Sequence, residues 1–180
     1  MPLTLGTRGV SILRAMRKPL VIFVLLALAV PLGGYAATQV GDGTLSVEDG
    51  RGKVVVHAKG GIIGRLDRGS IVVFDLTPDD AFQPIVFGDD ESVRLVGDNG
   101  LQYGGRDLRF RLIGGTYRVV VRGSGIDLSA VGNGFAWLEG DPFDPGVYSL
   151  DGSDCRVQSA ACKSLPERLT RVRLGSGDPR

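Results

Sequence analysis

Histidine, cysteine and tryptophan are scarce in this chain of 180 residues, which contains one His, two Cys and one Trp. The single histidine, His57, limits acid–base catalysis and nucleophile activation, and we place it on the solvated face of a strand. Phosphate-cradling and dinucleotide-binding glycine loops are missing, as are a Gly-x-Ser-x-Gly elbow and metal-ligand spacings. The sequence therefore predicts no catalytic residue, no metal site, no cofactor and no nucleic acid partner.

Acidic residues are missing from the first 36 positions, which contain four basic ones: Arg8, Arg14, Arg17 and Lys18. A cationic segment over residues 1–19 followed by an apolar segment over residues 20–37 is typical of exported proteins. Two fates remain open. Leu20–Val30 is the core of a signal peptide cleaved near Ala36, or Leu20–Ala37 persists as a transmembrane helix with the basic residues inside. Either fate predicts an exported domain, secreted or anchored in the membrane.

The two cysteines, Cys155 and Cys162, both follow the export segment. In an oxidising compartment we expect them to form one disulfide that closes a small loop. Their spacing is not that of a Cys-x-x-Cys redox pair, and no histidine lies nearby to complete a metal site.

An internal repeat organises the remaining chain. Gly50 and Val54–Val56 recur 65 residues later as Gly115 and Val119–Val121, and further glycines and apolar residues match in order. We infer a unit of about 60–65 residues that is present twice. The predicted domains are the duplicated domain over 38–174, with repeat 1 over 44–104 and repeat 2 over 107–174, and a flexible tail over 175–180.

Each repeat is predicted to begin with a β-hairpin, turning at Asp49-Gly50 in the first copy and at Gly114-Gly115 in the second. Apolar residues alternate with polar ones on both arms, so one face of each hairpin is predicted to be buried. These core positions are Leu45, Val47, Val54, Val56, Leu108, Phe110, Leu112, Tyr117, Val119 and Val121.

Further strands are expected at 70–76, 84–87, 92–96, 134–139, 146–150 and 168–174. Ile62–Leu66 and Ile126–Val131 are expected to make at most one helical turn each. About nine or ten strands with one-sided hairpins predict an all-β fold, an antiparallel sandwich or barrel. One N-terminal hydrophobic helix would precede it.

Four arginines, Arg109, Arg111, Arg118 and Arg122, would project from one side of the second hairpin, with Arg111 opposite Arg118. Directly opposed like charges cost stability, so such a cluster suggests an anion-binding patch. Its partner would be an anionic envelope polymer, lipid headgroups if the membrane segment is retained, or an acidic protein. A solvated strand face whose arginine stems cover apolar surface is the favoured interpretation.

The preferred function is therefore a non-catalytic binding or structural module at the cell envelope, and self-association through edge strands is a further possibility. The alternative is a carbohydrate-active hydrolase that uses loop carboxylates. Those carboxylates are Asp79, Asp80, Asp89 to Glu91, Glu139, Asp141 and Asp144. Phe135, Trp137 and Phe143 suggest either a sugar-stacking platform or core packing, and core packing is favoured.

Overall fold

The computed structural model describes residues 39–40, 43–78 and 83–175. The predicted n-region, the Leu20–Ala37 segment and residues 176–180 of the predicted tail lie outside these ranges. Within them, no helix is long and apolar enough to span a membrane. The strands are β1 (Gln39–Val40), β2 (Thr44–Asp75), β3 (Ile85–Val96), β4 (Gly100–Gly140), β5 (Val147–Ser149), β6 (Lys163–Ser164) and β7 (Thr170–Leu174), and Ser159–Ala161 forms a 3₁₀ turn.

The described chain is almost entirely antiparallel β structure, as the alternating sequence pattern predicts. All seven strands belong to one sheet in the order β1-β7-β4-β2-β5-β6, and β3 pairs with β4. Among the described strands, only the short pair β1 and β7 is parallel. The all-β prediction is confirmed at this level, and closure of the sheet into a sandwich or barrel stays a prediction.

The strands β2 and β4 form a ribbon that is coiled on itself. Val121 of β4 pairs with Val54 on one side and with Ile71 on the other. Two neighbours of one strand lie about 10 Å apart, whereas a straight strand would separate residues 17 positions apart by about 56 Å. The ribbon must therefore turn back so that each coil pairs with the next.

Pairs of glycines oppose each other across the ribbon at points where its two strands approach closely. Gly60 lies opposite Gly132, and Gly69 lies opposite Gly123. Both members of the first pair have φ of +148°, a conformation that side-chain-bearing residues rarely adopt. A Cβ on Gly60 would lie 2.2 Å from the Val131 carbonyl oxygen, and one on Gly132 would lie 2.2 Å from that of Lys59. The two strands approach so closely here that only glycine fits.

One apolar core fills the inner side of the coiled ribbon. All ten core positions predicted from alternation are buried, and the largest fully buried side chain is Tyr117. Leu66, Ile71, Ile126 and Leu138 join them from the other coils. Since successive side chains of a strand point to opposite faces, the polar residues between these positions face outward.

Neither predicted hairpin forms. Val54 pairs with Val121 rather than with Leu45, and Phe110 pairs with Gly64 rather than with Val119. Asp49 does adopt the positive φ that a turn requires, at 49°, but the chain continues through a register shift instead of reversing. Pairing between β2 and β4 over their whole length outcompetes the local turns.

The stretches expected to make single helical turns, Ile62–Leu66 and Ile126–Val131, are strand segments that pair with each other. The other predicted strands all overlap β2, β3, β4, β5 or β7. The internal duplication and its domain bounds stay a prediction.

Candidate functional site

The four predicted arginines are all exposed, but the structure divides them into two pairs with different neighbours. Arg109 lies between Arg65 and Phe87, and Arg111 lies between Ile63 and Ile85. The predicted opposition of Arg111 and Arg118 is therefore wrong, because it depended on the hairpin that does not form.

Arg118 and Arg122 face outward from the neighbouring coil. Arg118 lies between His57 and Phe74, and Arg122 lies between Lys53 and Ser70. His57 is half-buried in this row rather than fully solvated, with Phe135 on its other side. The second arginine pair therefore belongs to a surface that contains aromatic residues.

Those aromatic residues form a platform with arginines from β7. Phe135 and Trp137 are half-buried and alternate with the buried Gly134, Ala136 and Leu138, so they face outward and the favoured assignment of both rings to the core is wrong. Their ring centroids lie 6.4 Å apart. The Arg171 guanidinium lies 3.6 Å from the Phe135 centroid and 5.6 Å from that of Trp137. Phe143, at 96% exposed, lies in a loop after β4.

Positive charge dominates this surface, which we call the aromatic–arginine platform. Five cations lie on the neighbouring strands of this surface, together with Phe74, Phe135 and Trp137. The acidic residue that we find among these neighbours is Glu139, which lies opposite Lys53. The cations are Lys53, Arg118, Arg122, Arg171 and Arg173. Arg118 also stacks on Phe74, at 5.8 Å from its ring centroid. A cationic surface with half-buried aromatic rings at its centre suits ligands that combine anionic groups with apolar faces.

On the outward face near Arg109 and Arg111, Asp127 forms hydrogen bonds with three residues from separate parts of the chain. The sequence pattern did not identify Asp127 as a candidate site residue. Its carboxylate accepts hydrogen bonds from Arg65 Nε at 2.9 Å, from Arg156 at 2.9 Å and from the Asp49 backbone N–H at 2.9 Å. The Asp127 side chain is only 21% exposed. One carboxylate thus joins β2, β4 and the loop after β5.

Partial burial by itself would raise the pKa of Asp127. The hydrogen bonds from Asp49 and Arg65 and the charges of Arg156 and Arg65 outweigh burial and hold this pKa below its usual value. The same hydrogen bond and the Asp127 charge raise the pKa of Arg65. Asp127 therefore stays ionised between two guanidinium groups.

The predicted disulfide is present, with Cys155 and Cys162 joined and their Cα atoms 5.7 Å apart. The closed loop is fixed to the sheet through Glu48, which accepts the Cys155 backbone N–H at 2.8 Å and lies 3.4 Å from Arg156 Nε. The disulfide thus holds Arg156 where it reaches both Glu48 and Asp127.

Replacing both cysteines (Cys155→Ser with Cys162→Ser) should destabilise this loop selectively. Loop-closure entropy for so short a loop sets the loss at about 2–3 kcal/mol. Hydrogen exchange through local opening should accelerate at residues 155–162 and stay unchanged in the paired segments of β2 and β4, where only exchange through global unfolding should reflect the loss. Reduction of the native protein should give the same pattern, and uniform acceleration across the sheet would contradict the prediction.

Two of the carboxylates proposed for hydrolysis, Asp141 and Asp144, have structural partners. Asp141 accepts the Phe143 backbone N–H at 2.9 Å, as expected of a turn initiator, and Asp144 pairs with Arg51 at 3.4 Å. Asp89 lies opposite Arg106, and Glu139 lies opposite Lys53. Asp79 and Asp80 lie outside the described residues. No group of three His, Cys, Asp or Glu residues that could hold a metal ion occurs in the part of the chain that the structure describes.

Comparison with known proteins gives no relative from which a function could be transferred: no family model matches the chain, and neither a curated protein nor a solved structure matches it. The two outward surfaces therefore have to be interpreted from their own chemistry.

Proposed function

We propose that the protein is a non-catalytic, exported module that binds an anionic polysaccharide of the cell envelope through the aromatic–arginine platform. The observation that carries the proposal is the stack of Arg171 on Phe135 beside Trp137, within a row of further cations. Sugar rings present apolar C–H faces that pack on aromatic rings. Their carboxylates or sulfates accept paired hydrogen bonds from guanidinium groups.

Export is part of the same proposal. The intramolecular disulfide agrees with an oxidising compartment. The acid-free N-terminal segment agrees with a signal peptide cleaved near Ala36 or with a membrane anchor over Leu20–Ala37. An acidic protein at the same surface is the competing partner, and it would bind without the sugar-dependent signal described next.

The proposal also takes the coiled ribbon as the predicted sandwich or barrel, since one apolar core covers the inward side chains of β2 and β4. A closed fold of this kind would present the platform as a rigid outer face. An experimental structure with an open, uncurled sheet would contradict it.

Trp137 is the only tryptophan of the chain, so its fluorescence reports directly on the platform. Titration with polygalacturonate should change the emission, and neutral dextran should not. The double variant Arg118→Gln/Arg171→Gln should bind about tenfold more weakly, since loss of two charge-assisted contacts is worth at least about 1.4 kcal/mol. The salt dependence should also weaken.

The matched control is Arg109→Gln/Arg111→Gln, which removes the same charge outside the platform and should bind polygalacturonate like the unmodified protein. Equal affinity of the platform variant and the unmodified protein would contradict the proposal. Release of reducing ends during the titration would instead support the hydrolase alternative.

A further inference from the structure

A second outward surface has no role in the proposed function: an open recess of about 830 Å³ around Arg65, Arg109 and Arg111. The disulfide-closed loop contributes Arg156 to its rim, and β3 contributes Phe87. Its volume is in the range of sites for small molecules, which are about 300–1,000 Å³.

Charge in this recess is only partly neutralised. Arg65 lies directly opposite Arg109 on the adjacent strand, and Asp127 pairs with Arg65 at 2.8 Å. Neither Arg109 nor Arg111 forms an ion pair with any carboxylate that the structure describes. Like charges on directly opposed residues destabilise a sheet. An anion bound between Arg109 and Arg111 would relieve that cost.

Apolar side chains alternate with these arginines across the strands. Phe87, 53% exposed, lies opposite Arg109, and Ile63, 49% exposed, lies opposite Arg111. Large apolar side chains exposed together in a concave surface mark an interaction site. A ligand that covers them would also exclude water from the two guanidinium groups and strengthen their attraction for an anion.

We propose that this recess binds a single-chain amphiphilic carboxylate, of the fatty-acid class. Its headgroup would lie between Arg109 and Arg111, and its hydrocarbon chain would cover Ile63 and Phe87. A single chain suits this recess better than a bilayer surface does, because the lining is drawn from β2, β4, Phe87 of β3 and Arg156 of the disulfide-closed loop around one site. The inference is independent of the polysaccharide proposal, since it involves neither Trp137 nor Arg171.

Isothermal titration with monomeric dodecanoate tests the proposal on the full chain. Dodecanoate should bind with a stoichiometry of one. Dodecyl maltoside, with the same chain but no charge, and butyrate, with the same charge but a short chain, should each bind at least tenfold more weakly. Equal binding of dodecyl maltoside, or no binding of dodecanoate, would overturn the proposal.

Variants locate the site. Arg109→Gln/Arg111→Gln should weaken dodecanoate binding at least tenfold, Phe87→Ser should weaken it about fivefold, and Arg109→Lys/Arg111→Lys should restore part of the loss. Arg118→Gln/Arg122→Gln is the matched control and should bind normally. All five side chains are exposed, so none of these variants should lower the urea unfolding midpoint. Unchanged affinity in the Arg109/Arg111 glutamine variant would refute the site, as would binding only to vesicles of anionic phospholipid.

Discussion

Replacing Gly60 by alanine should abolish or nearly abolish folding, whereas the same replacement at its neighbour Gly61 should be tolerated. At Gly60 the new Cβ would lie 2.2 Å from the Val131 carbonyl oxygen and 2.9 Å from the Gly132 Cα, at a φ of +148°. At Gly61 a Cβ would meet nothing within 4 Å. One added methyl group thus has opposite consequences at two adjacent positions.

The expected loss of stability in Gly60→Ala is large because the contact at this position is rigid. Both clashing atoms belong to the backbone of β4, so relief requires the two strands to separate and the pairing around Gly60 to break. We expect Gly60→Ala to cost more than about 4 kcal/mol, which approaches the whole stability of a small domain. The free energy of unfolding of Gly61→Ala should lie within about 1 kcal/mol of that of the unmodified protein. Any change should be stabilising where it comes from the lower conformational entropy of the unfolded chain.

Urea unfolding followed by circular dichroism measures both values. Gly132→Ala should reproduce the loss seen for Gly60→Ala, because the two glycines face each other and its Cβ would lie 2.2 Å from the Lys59 carbonyl oxygen. If Gly60→Ala and Gly61→Ala unfold at similar urea concentrations, the close approach of the strands is not as the structure has it.

The buried faces of the strands and the positions with positive φ show what the sequence could and could not predict about the fold. Alternation identifies the buried side of β2 and β4 because burial requires only that every second side chain face the core. The two predicted turn pairs require positive φ at both positions, but only Asp49 and Gly114 have it, at 49° and 90°, and their partners Gly50 and Gly115 do not. A positive φ serves a bulge or corner as well as a hairpin turn, however, and only pairing partners distant in sequence decide between them.

In the candidate sites, too, local exposure could be predicted from the sequence, whereas contacts between distant parts of the chain could not. Exposure of Arg109, Arg111, Arg118 and Arg122 follows from local alternation, but their neighbours depend on a register with partners that are tens of residues away in the chain. Asp127 could have been found from the outward position that it takes between the apolar Ile126 and Leu128. Its three donors come from Asp49, Arg65 and Arg156, which no local pattern brings together.

Among the outward-facing residues of the sheet, Asp127 should accordingly be the one whose substitution lowers stability most. Asp127→Ala removes the acceptor of two guanidinium groups and of the Asp49 backbone N–H, and hydrogen bonds to charged groups contribute about 1.5–3 kcal/mol each. Arg65 and Arg156 are 55% and 64% exposed and regain water, which reduces the loss. We expect a net cost of about 2–3 kcal/mol, and faster hydrogen exchange in the disulfide-closed loop.

The matched control is Asp144→Ala, which breaks an ion pair whose side chains, Arg51 and Asp144, are 53% and 60% exposed. Exposed pairs contribute about 0–1 kcal/mol, so this variant should be nearly neutral in the same urea titration. Equal costs for the two variants would contradict the assigned role of Asp127.

Acid provides an independent test of the same carboxylate. Because the pKa of Asp127 is lower in the folded than in the unfolded protein, its contribution is fully present above the unfolded value of about 3.9. That contribution is lost as the pH falls through the folded value, so the free energy of unfolding should decline below about pH 4. Asp127→Asn cannot titrate and should decline less steeply over that window. A parallel decline in the variant and the unmodified protein would show that other carboxylates govern acid unfolding, and that the two arginines do not stabilise the ionised Asp127.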